Sequence, residues 1–401
     1  MKILMVNKFL YPNGGSETYM LKLGEYLISQ GHDVQYFGME DVRNVVGNHA
    51  GSYTSNMNFH GRSLARLVYP FKIIYSVDAR KKIRNVLEDF KPEVVHLNNI
   101  NFQLTPSIIY EIKKKHIPIF QTIHDPQIVC PNHRLYIEAK ETICEKCISG
   151  DYTNCIRNKC IDKSLIKSFI AMVESYLYHF LKTYNKVDRY ICPSKFMADK
   201  LIEGGISPSK IEVLYNFSDK VEVLGKHKLK GKYALYFGRI SIEKGIKTLI
   251  QVCKELPEIK FIFAGSGLLI DSLSGIENIE FVGFKKGKEL HELINNATFT
   301  IYPSEWYENC PFSIIESQAY GTPVIGANIG GIPELIVHNH TGLIFESGNK
   351  KQLKKAIQRI YSDDELRNQM IQNCLSKKSN PIDIYADVLV SKYQNVMETF
   401  V

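Results

Sequence analysis

The chain has 401 residues, 50 of them Lys or Arg and 42 Asp or Glu, for a formal net charge of +8 at 44% hydrophobic and 23% charged. That balance excludes a disordered or fibrous protein, and a single core stops growing near about 250–300 residues, so two domains are expected. The charge is uneven: Met1–Phe217 holds 28 basic and 21 acidic residues, +7, and Ser218–Val401 holds 22 and 21, +1.

In chain order, short apolar runs alternate with helical patterns, as parallel βαβ units do. The first-half strand candidates are Ile3–Val6, Val34–Phe37, Val94–Leu97, Ile119–Ile123, Arg189–Cys192 and Ile211–Leu214. Ile3–Val6 is too short for the apolar segment of a signal peptide. The run Leu165–Leu181 is interrupted by Lys167 and Glu174, so no membrane span is expected. A cytoplasmic protein follows, and nine cysteines there argue against a disulfide framework. Gly14-Gly15 stands before a helix whose face is Tyr19, Met20, Leu23, Leu27 and Ile28, where backbone N–H groups can approach a phosphate or serve only as a turn.

The segment 218–231, rich in Lys and Gly, reads as a linker. Second-half strands are expected at Tyr233–Tyr236, Phe261–Ala264, Ile279–Val282, Thr298–Tyr302, Val324–Ile325 and Gly342–Phe345, closing a domain at 232–381, with a last helix over 382–401. Arg239 and Lys244 flank a short loop that opens a helix, a pattern suited to a pyrophosphate. After Thr298–Tyr302, a helix is expected from Pro311 to Tyr320, with Pro311 as its first residue and Gly321 beyond its end. Glu308 then lies before the positive helix end and Glu316 inside it, where a buried carboxylate needs hydrogen-bond donors such as ribose hydroxyls. The N–H groups around Phe312 and Ser313 would face an anion. Two cations and two carboxylates at equivalent strand ends are the inventory for a nucleotide sugar.

These motifs closely resemble the donor domain of the family 4 retaining glycosyltransferases, which have the GT-B fold of two Rossmann-like β/α/β domains facing a central cleft. The matching pieces are Gly238-Arg239…Glu243-Lys244-Gly245, Ala264-Gly265-Ser266-Gly267, Val282-Gly283-Phe284, Tyr302-Pro303-Ser304, the E-x7-E pair Glu308/Glu316, Ala319–Ile325 and Gly330-Gly331-Ile332-Pro333-Glu334. The first half matches more loosely, through Gly14-Gly15, His124 and Cys192-Pro193-Ser194. The resemblance implies that Arg239 and Lys244 bind the diphosphate of a UDP- or GDP-sugar and Glu316 the ribose. It implies that Gly283-Phe284 lies by the base. Glu308, with the backbone of Asn309, Cys310, Pro311, Phe312 and Ser313, would hold the sugar, and His124 would sit beneath it. It further implies transfer with retention and no catalytic metal, with the cations stabilising the leaving diphosphate. The last helix is expected to return to the first domain, and closure of the halves about the linker to assemble the site.

Two stretches lie outside that pattern. Five cysteines fall between Cys130 and Cys160, and Cys144, Cys147, Cys155 and Cys160 offer four thiolates for a structural zinc, with Cys130 or His133 as substitutes. Between Arg62 and Arg84 seven basic residues meet one acid, interleaved with apolar side chains, a pattern fitting an anionic membrane surface. Lys163–Lys186 is also cationic, with a strongly apolar aromatic middle that fits the same membrane reading or core helices with solvated Lys faces. A lipid-linked glycan acceptor in bacterial capsule or lipopolysaccharide synthesis would suit a peripheral membrane enzyme. The alternatives are a phosphorylase or epimerase on the same fold, or a non-catalytic nucleic-acid- or membrane-binding relative. No recognition helix or RNA-binding motif supports nucleic acid.

Overall fold

Runs such as Ile3-Leu4-Met5-Val6 and Phe261-Ile262-Phe263-Ala264 carry no polar residue on either face, so they are stable only as strands covered on both sides. A computed structural model describes residues 1–56, 69–218, 232–377 and 380–399. The chain divides into two units, Met1–Tyr215 with Ile382–Val401, and Asn216–Pro381. Asn216 and Phe217 go with the second unit because Asn216 Nδ2 donates to Cys310 O at 2.8 Å and the Phe217 ring meets Phe312 edge-on at 5.8 Å. Most of the expected linker, 219–231, lies outside the described residues.

The first unit contains β1 (Lys2–Val6), α1 (Gly15–Ser29), β2 (Asp33–Phe37), α2 (Tyr69–Ile74), α3 (Val77–Phe90), β3 (Val94–Leu97), α4 (Ile108–Lys114) and β4 (Ile119–Thr122). It continues with the hairpin β5 (Tyr136–Ile137) and β6 (Thr142–Ile143), then α5 (Thr153–Arg157), α6 (Leu165–Phe180), β7 (Arg189–Cys192), α7 (Lys195–Glu203) and β8 (Ile211–Val213). Six strands form one parallel sheet, ordered β2-β1-β3-β4-β7-β8. Ile3 stands opposite Val34 on one side and Val94 on the other, which puts β1 at the topological switch point. Helix α1 buries Tyr19, Met20, Leu23 and Leu27 as its periodicity requires, whereas Ile28, expected on that face, is half-exposed.

The second unit runs β9 (Tyr233–Arg239), α8 (Ile246–Lys254), β10 (Lys260–Ser266), β11 (Ile279–Phe281), α9 (Gly287–Asn296), β12 (Phe299–Tyr302) and α10 (Phe312–Ala319). After these come β13 (Val324–Asn328), α11 (Ile332–Leu335), β14 (Gly342–Glu346), α12 (Lys350–Ser362) and α13 (Asp364–Ser376). Its parallel sheet is ordered β11-β10-β9-β12-β13-β14, the other doubly wound order, so here the switch point lies between β9 and β12. Its core is dry: Ala234, Phe261, Phe263, Phe299, Ile325 and Leu353 are almost wholly buried against one another.

The chain then re-enters the first unit as α14 (Ile382–Glu398), which buries Tyr385, Ala386, Leu389, Tyr393 and Val396 at helical spacing. At the second unit's own ends, Ser218 N donates to Asn380 O at 2.9 Å. Among the described residues no helix is long and apolar enough to cross a membrane.

Candidate functional site

In the second unit the motif residues gather where β9 and β12 end. Strand β9 runs on through Gly238 to Arg239, further than its apolar pattern predicts, and a single 3-10 turn over Ile242–Lys244 leads into α8. Gly245 makes the junction at φ 71°, and a Cβ there would lie 1.9 Å from Pro303 O. Only glycine lets the two strand ends approach so closely. Gly330, at φ 57°, does the same against the Glu308 carbonyl, while Gly331 N donates to that carbonyl at 2.7 Å. The loop carrying Glu308 is thereby fixed through its backbone.

Glu308 is buried, and its Oε1 accepts from Ser304 Oγ at 2.9 Å, from Trp306 Nε1 at 2.5 Å and from Lys244 Nζ. Burial raises its carboxyl, but the Lys244 ammonium and these hydrogen bonds outweigh that and hold it below the ordinary carboxylate range. Lys244 also donates to Tyr302 Oη at 3.3 Å and lies 5.3 Å from the Trp306 ring centroid. Arg239 is exposed, 6.0 Å from the same ring, with Glu243 3.8 Å away. The two residues expected to hold different parts of a donor therefore pair with each other in the free protein. Removing either partner of a buried ion pair strands a charge.

Pro311 is not the first helical residue but the N-cap of α10, extended at ψ 123°, and Tyr320 caps the other end. Phe312 and Ser313 open the helix, with Cys310 buried just before them and tied to Asn216 N through Sγ at 3.4 Å. Glu316 is half-buried rather than buried; the buried carboxylate is Glu308. Gly283 turns at φ 74° and passes a hydrogen bond from Gly265 N to its carbonyl, which leaves the Phe284 ring exposed. Sequence reading passed over Trp306, although the chain has only one tryptophan and it sits inside the key motif.

In the first unit the site-like cluster lies at the carboxyl ends of β1, β3 and β4. His124 is half-buried, edge-on to Tyr19 at 4.9 Å, with Nε2 2.9 Å from Asn98 Oδ1. Asn98 Nδ2 faces the Val6 carbonyl at 3.4 Å, which turns its oxygen toward the ring. Nε2 therefore carries the proton and Nδ1 is the acceptor. Desolvation lowers His124 to about 3, so the ring is neutral. Gly14 is the extended N-cap of α1, and Gly15 starts that helix. Beside them Glu17 is buried and accepts from Asn7 Nδ2 at 3.0 Å and Ser16 Oγ at 2.9 Å. Burial lowers Lys8 to about 8 against the opposing pull of Glu17 and Asp125, and burial pushes Asp125 up to about 7. Lys8, Glu17, Asn98 and Asp125 were missed because no spacing joins them; only the fold brings them together.

The cysteines of the insertion are free thiols, and Cys130, Cys144, Cys147, Cys155 and Cys160 line one small cavity. Cys130 donates to Asn132 Oδ1 at 2.8 Å, and Cys155 shares a hydrogen bond with Cys160. Among the described residues no three His, Cys, Asp or Glu side chains are placed to hold a metal ion, so the expected zinc finds no formed ligand set. The basic stretch is also altered. Arg62 and Arg66 lie outside the described residues. Arg80 Nε donates to buried Glu111 at 2.9 Å and Arg84 reaches it at 3.0 Å, so these cations neutralise an acid within the fold.

Comparison with known proteins gives two family matches, "Glycosyltransferase Family 4" over residues 13–220 and "Glycosyl transferases group 1" over 220–376. The chain is 24% identical over 394 residues to the glycosyltransferase MJ1607 of Methanocaldococcus jannaschii, covering 93% of this chain and 92% of that one. It is 23% identical over 353 residues to a 42.6 kDa protein of the cps region of Klebsiella pneumoniae, covering 84% and 87%. Among solved structures it is similar to Anabaena Alr3699/HepE in complex with UDP and glucose. There the TM-score is 0.68 at 17% identity, over 98% of this chain and 100% of that one. This last likeness concerns the fold, which is GT-B.

Proposed function

The chain belongs to the family 4 glycosyltransferases, and from that premise we propose that it moves a hexose from a UDP-sugar to a lipid-linked glycan, with retention at the anomeric carbon. The observation that carries this reading is the Lys244–Glu308 pair beside Arg239, Trp306 and the start of α10. In the free protein the pair keeps two buried charges neutral. A diphosphate arriving at Arg239, Lys244 and the N–H groups of Phe312 and Ser313 offers Lys244 a better partner. Glu308 is then released to accept hydrogen bonds from sugar hydroxyls, and Glu316 serves the ribose.

The bond that breaks joins the anomeric carbon to the diphosphate oxygen. The bond that forms joins that carbon to an acceptor hydroxyl oxygen on the same face, and the hydroxyl proton passes to the departing diphosphate. Double displacement needs a carboxylate placed to attack the anomeric carbon, whereas in this reading Glu308 binds sugar hydroxyls while Ser304 and Trp306 still donate to it. Arg239, Lys244 and the helix end place positive charge where the leaving group develops its negative charge, the task a metal performs in other transferases. We therefore assign the step to side chains alone. UDP as carrier is supported by the HepE complex with UDP and glucose. A surface-polysaccharide acceptor is supported by the cps-region relative.

Trp306 provides the test, since all tryptophan fluorescence comes from this site. UDP should change the emission saturably, GDP should not, and Lys244→Ala should abolish the response. Product formed with EDTA present should keep the donor's anomeric configuration by NMR. An inverted product or strict Mg²⁺ dependence would overturn the mechanism.

A further inference from the structure

Helix α6 is amphipathic in the inverse sense. Its inward face carries Ser168, Ala171, Glu174 and Tyr178, which are buried, while Ile166, Phe169 and Phe180 are 73%, 53% and 83% exposed. Leu165, Tyr176 and Leu181 extend this outer stripe. The spacing follows the helical period, so the exposed apolar side chains form one continuous strip rather than scattered positions.

Ser164 caps the helix start, its Oγ accepting from Lys167 N at 3.4 Å. The inner face needs polar groups because it borders a cavity of about 150 Å³ shared with Gln127, His133 and Tyr184. That space is smaller than the roughly 300–1,000 Å³ of ordinary ligand clefts. On the polar side Ser168 Oγ accepts from Ile161 N at 3.1 Å and Tyr178 Oη donates to Ile74 O at 2.7 Å, and the apolar side is left outside.

The charges around the strip choose its partner. From Lys163 to Lys186 the cations are Lys163, Lys167, Lys182 and Lys186, all exposed, and the one acid is Glu174, which faces inward. Asp162, just before the helix, pairs with Lys167 at 2.6 Å. An apolar strip ending in lysines at both ends matches the acyl boundary and headgroups of an anionic bilayer. A second copy of this face would bring like charges together.

We propose that the outer face of α6 docks the protein on an anionic lipid surface, with Ile166, Phe169 and Phe180 inserted at the headgroup boundary. This deepens the proposed function by naming where the acceptor is met, and it rests on that reading only for the acceptor. It also places the membrane contact on the second cationic stretch, Lys163–Lys186, rather than on Arg62–Arg84.

The test is co-sedimentation of the full chain with vesicles of equal parts phosphatidylglycerol and phosphatidylcholine, against vesicles of phosphatidylcholine alone. Binding should require phosphatidylglycerol and weaken with added salt. It should fall about tenfold or more in Ile166→Ser/Phe169→Ser/Phe180→Ser, and again in Lys163→Glu/Lys182→Glu. All five positions are exposed, so folding should survive, which circular dichroism checks. Fluorescence response to UDP should be unchanged in each variant, which separates this proposal from the donor-site reading. Equal binding by wild type and the triple-serine variant would overturn it. So would a wild-type dimer that the triple-serine variant converts to monomer.

Discussion

Both units of the molecule wind helices around a six-stranded parallel sheet, yet they place polar groups differently. In the second unit the main core is apolar, its buried polar contacts are short local pairs such as Thr300 Oγ1 to Ser317 Oγ at 3.0 Å, and the charges Lys244 and Glu308 meet at the strand ends. In the first unit polarity runs through the interior. Tyr19 Oη lies 2.7 Å from Tyr385 Oη and 3.1 Å from Thr122 Oγ1, and His96 Nε2 lies 2.7 Å from Thr122 Oγ1. Tyr393 completes the chain at His96 Nδ1. These groups are neutral: desolvation, with His124 nearby, lowers His96 to about 3. A neutral network can be fully buried because each donor finds an acceptor, whereas a buried charged pair costs desolvation and strands a charge when one partner leaves, which suits a site where a ligand can take that partner's place.

The largest expected effect exploits that contrast. Lys244→Ala should reduce transfer by about 10²–10³-fold, as loss of one preorganised electrostatic group does, and leave the first unit's near-ultraviolet circular dichroism unchanged. A smaller effect is expected from Leu389→Ala in α14. Leu389 is fully buried, so the first unit should lose about 2–5 kcal/mol, read in calorimetry as a shift of its transition while UDP binding persists at low temperature. A shift of the second unit's transition instead would break the division drawn here.

The smallest effect is a pH profile. Desolvation lowers His96, His124 and His133 to about 3, while burial raises Asp125 to about 7 and Glu174 to about 8. Between about pH 4.5 and 6 the unfolded chain binds the three histidine protons, and the folded chain keeps only the two carboxyl protons. Stability then rises with pH by about 1.4 kcal/mol per unit, one net proton. Above about pH 6.5 the histidines drop out and the two acids reverse the slope until about pH 8. The first unit should be most stable near pH 6 to 6.5, by urea denaturation across pH. Glu308, with its depressed carboxyl, contributes stability that is lost only as pH falls through its lowered range. A monotonic rise from pH 5 to 8 would contradict the neutral interior.

The second unit was legible because its site is written in consecutive residues. Gly238–Gly245 and Tyr302–Glu316 each span one strand end and one helix start, so local chemistry and tertiary position coincide. The first unit was legible only as strands, with Gly14-Gly15 and His124 as fragments. Its contacts join residues as far as 366 positions apart, as in Tyr19 and Tyr385, and no periodicity encodes that. Helix α6 stayed open between surface and core for a different reason: a hydrophobic pattern gives the period of a face, not which way the face points.

The return of α14 also bears on synthesis. The second unit is closed on itself where Ser218 meets Asn380, so it can fold as soon as it leaves the ribosome. The first unit, although translated earlier, cannot bury Tyr19, His96 and Phe120 against Tyr385 and Tyr393 until α14 has emerged. At about 5–20 residues per second that interval is on the order of ten seconds or more. During it the earlier-made unit has an open polar interior, and it is completed only after the second unit.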